Sequence, residues 1–108
     1  MVRRESKIQK AIKAYMADRG WFVKDTHGNM YQSGFPDLFA CHSMYGIRWI
    51  ECKLPGMVGS HFTPAQLQTF PQLTSHGAGV WVMTGTDDYK VLFDKPNWHQ
   101  YLSILRTR

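Results

Sequence analysis

Apolar residues recur through the first nineteen positions at helical spacing. Ile8, Ala11, Ile12, Tyr15 and Met16 form one stripe, while Arg3, Lys7, Lys10 and Lys13 lie on the other side. The pattern predicts a helix from Val2 to about Arg19, stopped by Gly20. Trp21-Phe22-Val23 begins a strand that breaks at His27-Gly28-Asn29 and resumes near Met30-Tyr31. Two short runs, Asp37 to Ala40 and Ile47 to Glu51, flank His42-Ser43-Met44-Tyr45-Gly46 and read as a β-hairpin. Leu54 to Ser60 is a loop. In Thr63-Pro64-Ala65-Gln66, Thr63 is an N-cap, Pro64 takes the first helical position and Gln66 closes a capping box. Leu67, Phe70, Leu73 and Thr74 continue that helix; Pro71 should kink it or end its regular part, and Gly77 marks its limit. Val80 to Thr84 reads as a short buried strand, Gly85 to Asp88 as a turn, and Tyr89 to Phe93 as a returning strand. Asp94 with Pro96 starts a final helix carrying Trp98, Tyr101, Leu102 and Leu105 on one face. The order α-β-β-β-α-β-β-α predicts an α/β fold, a central sheet flanked by helices, as one domain over residues 1–108.

The hairpin has a chemical consequence. Asp37 and Glu51 lie equally far from Met44 at the centre of the turn, so a symmetric antiparallel pairing sets them opposite each other. Their Cβ atoms would then be ~5 Å apart on one face, where two like charges repel unless a cation lies between them. Lys53 follows Glu51 by two residues and projects from the same face. Two carboxylates and an amine suit a divalent cation such as Mg²⁺, which takes oxygen ligands and needs only one or two carboxylates from the protein. The backbone carbonyl of Cys52 could add a third oxygen. Such an ion polarises a phosphoryl oxygen and acidifies water, and Lys53 could orient that water or neutralise developing charge. Against this, Pro-Asp is a common turn signal, and Glu and Lys two apart are common on a solvated strand. Glu5 admits two readings of equal standing: a first-turn acid favourable to the helix dipole, or a third carboxylate aimed at the site.

Charge supplies a substrate class. Thirteen Lys and Arg against eight Asp and Glu give a formal net charge of +5. A basic domain binds polyanions through counterion release, so cations around an acidic metal site point to a phosphodiester in nucleic acid. The two cysteines, Cys41 and Cys52, would point to opposite faces of the hairpin and should not pair, which fits a reducing cytoplasm. A zinc site drawn from Cys41, His42, Cys52, His27, His61, His76 and His99 lacks any ligand pair at zinc spacing. No apolar run is long enough to span a membrane. Tyr31, Tyr45, Trp49 and His61 near the site could stack bases or belong to the core and its rim.

Gly34-Phe35-Pro36-Asp37 followed by Glu51-Cys52-Lys53 resembles the signature of the PD-(D/E)XK nuclease superfamily. Within it the chain is most similar, over nearly its whole length, to the small VRR-Nuc domains related to archaeal Holliday-junction resolvases. The resemblance implies a restriction-endonuclease-like core. It makes Asp37 and Glu51 metal ligands, Lys53 the catalytic lysine, and Glu5 the helix-one acid completing the site. Gln66 matches the glutamine that follows the Glu-x-Lys strand, although its capping role would suffice alone. The implied activity is Mg²⁺- or Mn²⁺-dependent hydrolysis of DNA, with branched DNA such as four-way junctions cut by a homodimer with paired sites. A non-catalytic nucleic-acid-binding module and a restriction-type site-specific endonuclease are the alternatives.

Overall fold

The computed structural model describes residues 4–26, 34–57 and 61–102. Helix α1 spans Arg4–Ala17, and the chain leaves it through Gly20, whose φ of 91° is the left-handed turn expected there. Ile12 and Met16 are fully buried with Ile8 partly buried beside them, while Ala11, expected on the same stripe, is exposed. Strands β1 (Phe22–Asp25), β2 (Leu38–His42) and β3 (Gly46–Cys52) form an antiparallel meander. Helix α2 (Pro64–Ser75) crosses over to β4 (Val80–Met83), which pairs parallel with β3. The sheet order is β1-β2-β3-β4, with β1 and β4 at the edges. The resumption expected near Met30-Tyr31 falls outside the described residues.

Each face of the sheet has its own core. Leu38, Ala40, Ile50, Cys52, Trp81 and Met83 pack against Ile12 and Met16 of α1, with Trp21 and Leu92. On the opposite face Val80 and Val82 meet Phe62, Phe70 and Trp98, with Trp49 and Leu73 at the margin. Burying one such large side chain is worth about 1.5–3 kcal/mol. Cys41 and Cys52 are in no disulfide, and the register places them on opposite faces as expected.

The structure bears on three further expectations. Pro71 does not end α2, which continues to Ser75; a proline withdraws one backbone donor, and Pro71 sits on the exposed side. Gly77 then closes the helix with φ 92°, its N–H bonding the Thr74 carbonyl and that of Ala78 the Leu73 carbonyl. Tyr89 to Phe93 is no strand: a 3₁₀ segment covers Thr86–Phe93. Asp88 accepts from Thr84 N–H at 2.8 Å and from the Thr84 hydroxyl at 2.5 Å, folding the chain back directly after β4. The C-terminal element begins as a 3₁₀ segment, Trp98–Tyr101, with Leu105 outside the described residues. The β4 edge that the extra strand would have occupied is closed by buried Asn97. Its amide accepts from Val82 N–H at 2.6 Å and donates to the Val82 carbonyl at 3.3 Å.

Candidate active site

The ladder between β2 and β3 pairs Leu38 with Ile50 and His42 with Gly46, the register read from the turn. One step further, Asp37 faces Glu51. Its N–H donates to Glu51 Oε1 at 3.2 Å, and its own Oδ2 accepts the Cys52 N–H at 2.8 Å. The segment before Asp37 is clamped on both sides. Gly34 has φ 91°, and a Cβ there would lie 2.8 Å from both the Ala65 carbonyl oxygen and Thr69 Oγ1, so only glycine lets the chain pass this close to α2. Pro36 is fully buried. Thr26 holds the other side: its hydroxyl donates to the Pro36 carbonyl and its N–H to the Asp37 carbonyl at 3.0 Å. Sequence reasoning missed Thr26, because a lone threonine after a strand carries no pattern.

Glu51 is 2% exposed. Its Oε2 receives Lys53 Nζ at 3.1 Å and Gln66 Nε2 at 2.9 Å. Burial, and then the neighbouring Asp37 charge, push its carboxyl up to about 8, against the opposing pull of Lys53 and Gln66. Burial and the Asp37 charge thus outweigh the donors around Glu51. Lys53 is as buried as its partner and donates also to the His61 carbonyl at 2.5 Å, with the Phe62 ring centroid 5.3 Å away. The His61 carbonyl fixes the amine beside Glu51, and no sequence signal could have announced a backbone acceptor.

Gln66 performs two tasks. Its Oε1 accepts the Thr63 N–H at 3.0 Å and its own N–H bonds Thr63 Oγ1 at 3.1 Å, completing the capping box. Its Nε2 is left over and reaches Glu51. The first turn of α2 is thereby joined to the Glu51 carboxylate without loss of the cap.

Asp37, Glu51, Lys53 and Gln66 thus meet at one end of the sheet, with the Cys52 backbone between the acid and the lysine. Glu5 lies in the first turn of α1, and its side chain is outside the described part. Among the described residues no group of three or more His, Cys, Asp or Glu side chains could hold a metal, which removes the zinc grouping as far as it is described; His27 lies outside. Tyr45 belongs to the opposite end of the hairpin, stacked with Trp21 and edge-on to Phe93, and Tyr31 lies outside the described residues. Trp49 shares the face of Glu51, two residues earlier on β3. No described helix is long and apolar enough to cross a membrane.

No protein-family model matches the chain, and no curated protein matches it in sequence. Comparison with solved structures finds one described as a VRR_NUC domain, with a TM-score of 0.69 and 23% sequence identity. The match covers 86% of this chain and 98% of the other. A mixed four-stranded sheet between helices, matched over nearly all of that domain, gives the chain the restriction-endonuclease-like fold of a VRR-Nuc domain.

Proposed function

We propose that this chain is a Mg²⁺- or Mn²⁺-dependent endodeoxyribonuclease. The observation that carries the proposal is buried Glu51, its carboxyl raised by burial and by Asp37 and ringed by Asp37, Lys53 and Gln66, on a nuclease-like fold. Asp37 and Glu51 are the side chains that would hold the ion, with the Cys52 carbonyl and Glu5 as further oxygen donors. When bound, the ion supplies Lewis-acid polarisation of the scissile phosphate and acidifies a water. Lys53, fixed by the His61 carbonyl, holds its amine at Glu51 and would neutralise charge developing on the phosphate. Gln66 holds the Glu51 carboxylate in orientation. Asp37, through the Cys52 N–H, keeps the two strands in register at the reacting end.

The net charge of +5 supports DNA as the substrate. Branched DNA such as a four-way junction and a homodimer are what the likeness to resolvases implies, and the two separated cysteines fit a cytoplasmic setting; one site per chain cuts two strands symmetrically only when two copies act together. The test is to incubate the purified protein with a four-way junction and a matching linear duplex, in Mg²⁺ or EDTA. Metal-dependent cleavage is expected, with Lys53→Ala slower by about 10²–10⁴-fold, the range for losing a positioned proton-transfer or electrostatic group. No cleavage of either DNA, or cleavage indifferent to Lys53→Ala, would leave a binding module on a nuclease-like fold. Equal cutting of junction and duplex would remove the branch preference alone.

A further inference from the structure

The sheet face that carries Glu51 continues along β3 through Trp49 to Ile47. Its β4 side is covered by α2 and the C-terminal segment, but toward β1 no described element covers it. Phe22 and Ile47 are 58% and 54% exposed, and Lys24, Phe39 and Trp49 follow one another in a single row across β1, β2 and β3. Between this row and the end of α2 lies a cleft of about 240 Å³, lined by Ile47, Trp49, His76, Gly77, Ala78 and Gly79. Drug-sized ligands take pockets of roughly 300–1,000 Å³, so this cleft fits a single planar ring system.

Its charge excludes the obvious occupants. The wall formed by residues 76–79 is the C-terminus of α2, the negative end of the helix dipole, and the lining contains no lysine or arginine to hold a phosphate. It contains no carboxylate to hold a cation either. What it offers is an aromatic plane with an unused donor. The indoles of Trp21, Trp81 and Trp98 donate to Tyr89 Oη, the Asp94 carbonyl and Thr74 Oγ1 at 3.0, 3.0 and 2.9 Å. The Trp49 N–H has no hydrogen-bond partner among the described residues. Phe35 and Phe39 brace its ring edge-on at 5.9 and 5.1 Å. Across the cleft His76 is oriented by an Nδ1 contact of 2.7 Å to the Gln72 carbonyl, which leaves Nε2 as an acceptor in the neutral ring.

Trp49 and Glu51 project from one face of β3 about 7 Å apart, two residue rises, within reach of a nucleoside whose phosphate sits at the carboxylates. We infer that the cleft takes one unpaired nucleobase of the strand being cut, stacked on Trp49; the inference rests on the nuclease reading for the identity of that strand. Its position sets the face of the sheet along which the DNA runs, with Lys24 placed for a neighbouring phosphate.

The experiment uses DNA junctions and flaps carrying 2-aminopurine, or an abasic analogue, at successive positions along one strand, bound with Ca²⁺ in place of Mg²⁺. At one position the fluorescence should be quenched on binding, and the abasic analogue should weaken binding by about tenfold, as expected for one lost base–aromatic stack. Trp49→Leu should abolish the quench and make the abasic and normal strands bind alike. The abasic scan on the unaltered protein needs no variant, so it decides the matter even if Trp49→Leu folds poorly. Uniform affinity along the scan, or quenching that survives in folded Trp49→Leu, would overturn the subsite. Mg²⁺-dependent cleavage alongside a flat scan sinks the subsite and spares the nuclease; a base-dependent scan without cleavage does the reverse.

Discussion

At the scale of single residues, Glu51 sets the behaviour of the site. Its carboxyl is raised from 4.5 to about 8, so between those values the folded chain holds a proton that the unfolded chain has lost. Stability of the metal-free protein therefore falls as pH rises through this window, by up to ~1.4 kcal/mol per pH unit, and levels off above it. A divalent cation needs the ionised carboxylate, so its stabilising effect should grow over the same range. Thermal melts should show a larger Mg²⁺-induced rise at pH 8 than at pH 6, and Glu51→Gln should flatten both trends. An unchanged pH slope in that variant would place the titrating group elsewhere. Asp37, Glu51 and Lys53 were legible from sequence because a symmetric hairpin obeys simple arithmetic: their shared face follows from distance to the turn. The groups that hold them, Thr26 and the His61 carbonyl, were not, since a backbone acceptor and a lone hydroxyl leave no pattern.

At the scale of elements, the site depends on how tightly the Gly34–Asp37 segment docks onto α2. Gly34 and Gly77 have nearly equal φ, 91° and 92°, but a Cβ at Gly34 strikes the Ala65 carbonyl whereas one at Gly77 meets nothing within 4 Å. Both alanine variants incur backbone strain on the order of 1–2 kcal/mol. Gly34→Ala adds a collision with helix backbone, which cannot rotate away, and should melt several degrees below Gly77→Ala. Equal melting points would mean that the loop slides off α2 without cost. The α2 start was readable because cap, proline and glutamine act within four residues. Tyr89 to Phe93 was misread because aromatic and branched residues suit strands, while the decisive contact, Asp88 with Thr84, is a side chain turning its own backbone.

At the scale of the whole molecule, cations are divided between structure and surface. Arg48 donates to the Leu92 carbonyl at 2.7 Å and lies 4.8 Å from the Trp81 ring; Arg19 sits 3.4 Å over Tyr15 and 5.7 Å from the Tyr89 ring; Lys13 pairs with Asp25. These charges tie α1 and the segment after β4 to the body of the fold. Residues such as Lys24, exposed on β1, would meet the phosphates of the proposed substrate. DNA binding should weaken at least about tenfold when salt rises from about 50 to 200 mM, as expected for a few neutralised phosphates. A titration by fluorescence anisotropy checks this, and affinity indifferent to salt would argue against backbone contact.

The double duty of Gln66 narrows what this position can become through mutation. A helix cap of this type accepts glutamate as readily as glutamine, and a single base change in the codon exchanges them. Here the exchange would leave the α2 cap intact while setting a new anion against Glu51, where an amide now donates at 2.9 Å. A change neutral to the helix is thus costly to its neighbour, and drift at position 66 is restrained by chemistry that begins on another strand.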